Sequence, residues 1–508
     1  GDQRRGRKAI YKERREGEGW RTGTVEAGLP DLDGNIWTSH RWKGLGLVDS
    51  SGAASKIPTP EPTVPGYEED RSAVLPPMLT GDGRVVVPTT AGTCVVSDRT
   101  CRRISDDSPE YIYYGPACED SKGRLWHTNY TKGLERRTIT DDGYESWFPE
   151  WGSALRTNIV KHMIFSRQRL LIGTIDRGIF IVNEDDDPTS GPPVLAEAGI
   201  RFIFDDPSGY LWLGTNNLGL CRVSDSGAAL SGEATCIGPT HGLPSGPIHG
   251  AIPDGQGRVW LSHDKGISWV STETLDRVFR NEENFVPLVT LDQDGEGKAL
   301  EANGWIQPSI ATTGSTLWFA SQEGLVRLNT SSLESTTPPR PSYTQFALTE
   351  DGLDLAWSCS RQGLVEQAVF RYRIPDSNSH AEWSQPTRKR NLKVRKIPPG
   401  TWTLEAQAGL GGWGEINSRE FTISPAGHGS PDIGTTDMLL LILIVTISGI
   451  GLLIIAFLNI RRLSISLRQP ANIQHSDPED EETRLDPLMA RLHETIENNM
   501  GDPRFSVE

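Results

Sequence analysis

A chain of 508 residues is long enough for more than one domain, and 53 glycines, 34 prolines and 15 tryptophans make it rich in turns and strands. Its formal net charge of −16 excludes a polyanion-binding surface over most of the length. The six cysteines are a modest number.

Residues 1–24 carry a basic cluster, Arg4, Arg5, Arg7 and Lys8, with no apolar stretch behind it to form a signal peptide. The segment reads as a solvated edge left by truncation of something upstream; a nucleic-acid or membrane tether is the competing reading. The chain starts Gly-Asp-Gln and stops at Phe505-Ser-Val-Glu508 inside a new element, so a fragment at both ends is expected.

From residue 25 to 337 the chain repeats itself. Asp205 to Val223 holds a turn (Asp205 to Gly209), a strand on Leu211, Trp212 and Leu213, a polar turn from Thr215 to Leu218, and Gly219 opening a second strand. Similar stretches start at Asp31, Asp120, Asp254 and Thr313, and weaker ones without the Trp at Gly81 and Arg167. Aligning Trp37, Val86, Trp126, Leu171, Trp212, Trp260 and Trp318 gives a mean spacing of about 47 residues, the period of a four-stranded propeller blade. A four-stranded sheet cannot bury both faces alone, so an aromatic on an inner strand of each copy is expected to fill the wedge between neighbours. Asp or Ser with Gly supplies the tight turns. The fold class predicted is therefore mainly β, with a seven-bladed β-propeller. Eight blades remain open if the N-terminal segment completes another.

The cysteines carry a smaller signal. Cys94 and Cys221 both stand two residues after the glycine that opens a third strand, and Cys101 and Cys236 follow where a fourth strand should run. Pairing within each blade would satisfy disulfide geometry and point to an oxidising compartment, while four buried thiols are the alternative.

Turns from every blade converge on one propeller face, where ligands commonly bind. Repeat position places there Arg41 and Trp42; His127, Asn129 and Tyr130; Asp176 and Arg177; Asn216 and Asn217; His263 and Asp264; Gln322 and Glu323; and Trp305 from the connection before the last repeat. Aromatic faces and planar donors suit a carbohydrate, while an ordinary polar turn explains each residue singly. Two stretches, Asp31 to Asn35 and Asp292 to Glu296, resemble the start of a calcium loop but lack its terminal Glu, so turn chemistry accounts for the first. No phosphate loop, metal cluster or Ser/His/Asp set emerges, so neither an enzyme nor a cofactor is expected. A glycan lyase or hydrolase is the alternative.

Residues 338–426 alternate as short strands separated by turn signals, an Ig-like β-sandwich. Tyr372, Trp383, Trp402 and the Pro399-Gly400 turn make this stretch resemble the three-Y domain, with some of its tyrosines replaced by other aromatics. The repeats, best copied from His241 to Val270, then resemble two-component regulator propellers. That resemblance implies the periplasmic input of a bacterial transmembrane sensor, responsive to a small molecule or an oligosaccharide, and a homodimer.

Met438 to Leu458 is 21 residues without a charge, long enough to span a bilayer at about 1.5 Å per residue. Asp432 and Asp437 precede it and Arg461, Arg462 and Arg468 follow, which places the propeller outside and residue 461 onward in the cytoplasm. Residues 459–485 form an acidic linker with Pro470 and Pro478. Residues 486–508 resume order: Asp486 caps, Pro487 suits the first helical position, Leu488, Leu492, Ile496 and Met500 form a stripe, and Gly501 ends it. This end resembles the entry to an AraC-type helix-turn-helix domain, with DNA contacted only beyond Glu508. The alternative, His493-Glu494 as a histidine-kinase phosphoacceptor pair, needs a longer helix than Gly501 permits. A membrane-tethered scaffold with no output is the third reading.

Overall fold

The computed structural model describes residues 10–12, 24–40, 44–60, 76–89, 92–103, 114–129, 132–140, 143–156, 159–183, 194–225, 230–292, 299–304, 306–333, 338–349, 352–359, 365–375 and 381–424. The chain divides into a unit spanning Gly1–Ala426 and another spanning Gly427–Glu508, and every described residue belongs to the first. The predicted membrane span 438–458, the linker 459–485 and the helical entry 486–508 lie outside the described residues. Among those described, no helix is long and apolar enough to cross a membrane.

Each sequence repeat folds into a small antiparallel sheet, and seven follow one another. The first holds Ala27–Pro30, Ile36–His40, Gly44–Val48 and Ala54–Ile57; the second Met78–Leu79, Val85–Thr89, Gly92–Ser97 and Thr100–Arg103. The third holds Tyr114–Glu119, Leu125–Asn129, Gly133–Thr140 and Gly143–Trp147, and the fourth Val160–Ser166, Arg169–Thr174 and Ile179–Asn183. The fifth holds Ile200–Asp206, Tyr210–Thr215, Leu220–Asp225 and Leu230–Ile237, and the sixth Ile248–Pro253, Arg258–His263, Gly266–Ser271 and Val289–Leu291. The seventh takes three strands from the end of the series, Ile310–Thr313, Thr316–Ser321 and Gly324–Asn329, and its fourth, Ile10–Lys12, from the beginning. Ile10 pairs with Leu328 and Lys12 with Val326. That strand comes from the segment expected to be a solvated edge, because the outer side of Gly324–Asn329 offers unpaired backbone groups that need a partner.

First strands of the first and second sheets, and of successive sheets from the third to the seventh, lie against one another, and that of the first sheet also meets that of the seventh. There the Val25 amide donates to the Ser321 carbonyl at 3.1 Å and the Gly28 amide to the Pro308 carbonyl at 3.0 Å. The series thus returns on itself in a propeller-like arrangement.

The aligned aromatics sit where the wedge argument requires. Trp260 is fully buried and packs on Trp269 of its own sheet and Phe319 of the next. Trp212 meets Phe279 beside the sixth sheet, and Trp37 packs with Val85 and Val87 of the second. In the first, third and sixth sheets the turn before the strand that carries the Trp is closed by its Asp. One carboxylate oxygen of Asp254 accepts from the Gln256 and Arg258 amides, while the other accepts from Arg258 Nε and from Trp260 Nε1 at 3.0 Å. Asp31 with Trp37 and Asp120 with Trp126 repeat the arrangement, each at 2.9 Å. Asp31 to Asn35 is therefore a hydrogen-bonded turn.

Residues 338–424 form two three-stranded sheets, Pro341–Thr349, Gly352–Cys359 and Asn391–Arg395 against Val369–Arg373, Gly400–Gly409 and Asn417–Ile423. Leu353, Leu355, Trp357, Phe370, Leu404 and Phe421 fill the space between them, with Trp357 stacked on Phe370 at 5.3 Å. The layer pair docks on the sixth propeller-like sheet. The Ser271 amide donates to the Gly411 carbonyl, the Gly411 amide donates to the Pro287 carbonyl at 2.6 Å, and Leu410 enters the core containing Trp260, Trp269 and Leu317. Gly411 has φ +73°, and a Cβ there would stand 2.2 Å from the Trp269 ring. Only glycine permits that approach.

Candidate functional site

The ends of the second strands define the turn face. In the fourth, fifth and seventh sheets the residue three positions after the aligned Leu171, Trp212 or Trp318 closes its own turn. Thr174 Oγ1 donates to the Gly178 carbonyl and accepts from the Arg177 amide; Thr215 does the same with Gly219 and Leu218, and Ser321 with Gly324 and Glu323. In the sixth sheet this position is His263, whose Nδ1 accepts from the Lys265 amide at 3.2 Å. His263 was expected in the turn as a ligand contact; its side chain is instead buried, 1% exposed, because the strand pairs as far as His263–Gly266 and leaves a two-residue turn. Burial pushes its pKa down to about 4.

His127 is likewise buried within a strand. It lies 3.5 Å from Glu135, to which Arg137 Nε and Ser146 Oγ also donate. Burial pushes the Glu135 carboxyl up, but His127 and Arg137 hold it below its ordinary range. This group fastens the third sheet to the second, since Arg137 also donates to Thr93 Oγ1 at 3.0 Å. Asn129 ends its strand, at the turn-closing position. Arg177 and Asn217 are exposed on their turns. Arg41, Trp42, Tyr130 and Trp305 lie outside the described residues.

A second set of polar groups stands on the first strands. In the fourth, fifth and sixth sheets the pairing with the second strand skips one residue, at Lys161, Arg201 and His249. Each such irregularity re-aims a side chain. Two of these groups, Arg201 and His249, and two turn residues, Asn216 and Asp264, form a connected series. Asn216 Nδ2 donates to the Ile175 carbonyl at 3.3 Å and its Oδ1 accepts from Arg201 Nε. Asp264 is bound by His249 Nε2 at 2.6 Å, and that bond, His249 and the neighbouring Arg201 hold its carboxyl below the ordinary range. Burial lowers the Arg201 pKa, with Asp264 opposing. The His249 carbonyl accepts from Gln307 Nε2 at 2.7 Å and Ser309 Oγ at 3.0 Å, which ties the group to the seventh sheet.

This series was missed in the sequence, although a signal existed: Val160-Lys161, Ile200-Arg201 and Ile248-His249 recur at one place in successive repeats. The turn residues of three sheets, with Arg201 and His249 beside them, thus form a polar surface on which Asp264 is half exposed. It offers planar donors and a carboxylate acceptor, which suits a ligand bearing several hydroxyls. Among the described residues no cluster of three or more metal-ligating side chains occurs.

The two predicted cysteine pairs are present as disulfides. Cys221 and Cys236 face each other across neighbouring strands with Cα atoms 4.0 Å apart, and Cys94 and Cys101 are 5.5 Å apart.

No family model and no curated protein matches the sequence. Solved structures do. The extracellular domain of the hybrid two component system BT3049 from B. thetaiotaomicron matches over 82% of this chain and 58% of its own, at 17% identity and a TM-score of 0.55. The extracellular domain of the one component system BT4673 from the same organism matches over 81% and 57%, at 13% identity and 0.44. The β-propeller domain of Myceliophteria thermophila Cps50 (Swd1) matches over 61% and 98%, at 9% identity and 0.41. The fold is thus the mainly β, propeller-like fold of the BT3049 extracellular domain. The chain spans 58% of that domain's length.

Proposed function

We propose that this chain is the sensing portion of a bacterial transmembrane regulator. In this reading the seven small sheets are the blades of one propeller, the two three-stranded sheets are an Ig-like sandwich of the three-Y kind, and both stand in the periplasm. Residues 438–458 cross the inner membrane once and lead through 459–485 to a cytoplasmic AraC-type output that binds DNA. The ligand is an oligosaccharide or another small polyhydroxylated molecule on the turn face around Arg201, Asn217, His249 and Asp264. The chain itself catalyses nothing, and it works as a homodimer whose paired sandwiches change their arrangement when ligand binds.

The observation that carries this reading is the match to the BT3049 extracellular domain. Further support comes from the uncharged stretch 438–458 with arginines after it, and from two disulfides, which persist in oxidising compartments. The test has two parts. Protease added to intact spheroplasts should degrade the tryptophan-rich region and leave residues after 461 intact; the reverse pattern defeats the orientation. Calorimetric titration of the purified protein with a panel of plant and host oligosaccharides should find a binder, and Asp264→Ala should abolish that binding.

A further inference from the structure

The turn Asp264–Lys265 on the candidate ligand face and the sandwich docked on the same sheet are joined by a chain of hydrogen bonds through the interior. The Lys265 amide donates to His263 Nδ1, so that nitrogen carries no proton and Nε2 must. Nε2 then donates to Ser268 Oγ at 2.7 Å, and the Ser268 and Thr290 hydroxyls share a hydrogen bond of 2.8 Å. Ser268 and Thr290 are direct partners across the last two strands of the sixth sheet. The backbone of Thr290 is gripped from the sandwich by one side chain: its amide donates to Gln367 Oε1 at 2.7 Å and its carbonyl accepts from Gln367 Nε2 at 2.8 Å. Gln367 ends a short 3-10 turn, Val365–Gln367, and the strand Val369–Arg373 begins two residues later.

The links lie in the interior. His263 and Ser268 are buried, 1% and 0% exposed, so water does not compete for their bonds. A proton added to Nδ1 would face the Lys265 N–H and break the first link, and burial opposes that proton by lowering the pKa of the ring. A glutamine that pairs with an edge-strand residue through both amide groups acts as an extra strand partner. A shift of that edge strand therefore carries the start of Val369–Arg373 with it.

We propose that His263, Ser268, Thr290 and Gln367 form a positioning relay that couples the Asp264–Lys265 turn to the sandwich, making the sixth sheet the one that reports occupancy of the turn face. This rests on the sensing reading above for its purpose, but the coupling is a property of the protein without ligand.

The test is hydrogen exchange with mass spectrometry on the full chain in nanodiscs. Asp264→Asn weakens the His249 contact and disturbs the turn. In the wild-type background it should speed exchange in peptides covering 365–373 by at least about three-fold, the lower range of measured couplings. In a Thr290→Val background, which keeps the shape and both backbone bonds to Gln367 but removes the hydroxyl, Asp264→Asn should leave those peptides unchanged. Thr290→Ser, which restores the hydroxyl, should restore the effect and shows that the valine variant does not act through misfolding. An Asp264→Asn response confined to the turn, or one equal in the Thr290→Val and wild-type backgrounds, overturns the relay. If no oligosaccharide binds but the exchange pattern holds, the sensing reading falls and the relay stands.

Discussion

Arg371 and Glu283 meet through two parallel hydrogen bonds of 2.7 and 2.9 Å, with both side chains at most 5% exposed, where the sandwich strand Val369–Arg373 lies against the loop after the helix Thr272–Phe279. Trp413 covers the guanidinium at 3.7 Å and Gln407 accepts two further bonds from it. Burial lowers the Arg371 pKa and Glu283 raises it again. Removing either partner strands the other charge in the interior. Glu283→Gln or Arg371→Met alone should lower stability by about 3 to 5 kcal/mol, and replacing both with apolar residues should cost less than either single change. Urea unfolding followed by tryptophan fluorescence measures this directly.

The turn carboxylates make a second contrast. Trp260 Nε1 is held by Asp254, whereas Trp212 Nε1 is buried without a partner, although Asp206 occupies the same place in its repeat. There Asp206 gives its carboxylate to the Ser208 amide, and its carbonyl accepts from Arg167. Both rings are almost wholly buried. Trp260→Phe should therefore cost about 1 to 3 kcal/mol more than Trp212→Phe, because it leaves a buried carboxylate short of one donor. Thermal melts of the two variants decide it.

Buried histidines set a pH dependence. His162 Nδ1 accepts from the Ile203 amide at 2.8 Å, and burial pushes its pKa down to about 3; His263 is pushed down to about 4. The ordinary value is 6.5. Below that value the unfolded chain takes up protons that the folded chain refuses, so stability is complete above pH 6.5 and falls as pH drops toward 4. The slope expected is about 1.4 kcal/mol per pH unit for each histidine. A His162→Gln variant should show a shallower slope between pH 6 and 4 when denaturant midpoints are compared.

The disulfides predict a peptide map. Digestion without reduction should recover Cys94 linked to Cys101 and Cys221 to Cys236, with Cys118 and Cys359 as free thiols. Burial and the adjacent Asp120 and Glu119 raise the Cys118 pKa, so it should resist alkylation until the protein is unfolded.

The repeat was legible because its marks are local. An Asp, a Gly and a Trp at fixed spacing specify a turn and a wedge without reference to anything distant, and the sheets follow them. The strands of the two three-stranded sheets were legible for a similar reason, in the alternation from Gly352 to Cys359. The turn face was only partly readable. Repeat position located Arg177 and Asn217 correctly on turns, but it could not reveal that the strand hairpin continues to His263 or that His127 turns inward to Glu135, since those facts depend on a partner strand. Lys161, Arg201 and His249 share one place in successive repeats, but that the pairing skips them depends on the partner strand. Arg371 and Glu283, 88 positions apart, needed the docked sandwich to be seen together.

The pairing of Ile10–Lys12 with Gly324–Asn329 orders events in time. The strand Ile10–Lys12 is made before all seven repeats and its partner at the end of them, so the seam between Ile10 and Leu328 is sealed after the other sheets. At ribosomal speeds of about 5 to 20 residues per second that delay is roughly a quarter of a minute to a minute. Until then the newest sheet has a bare outer edge open to pairing with a neighbouring nascent chain. Whatever keeps Ile10–Lys12 unpaired during that interval governs the yield of correctly sealed molecules.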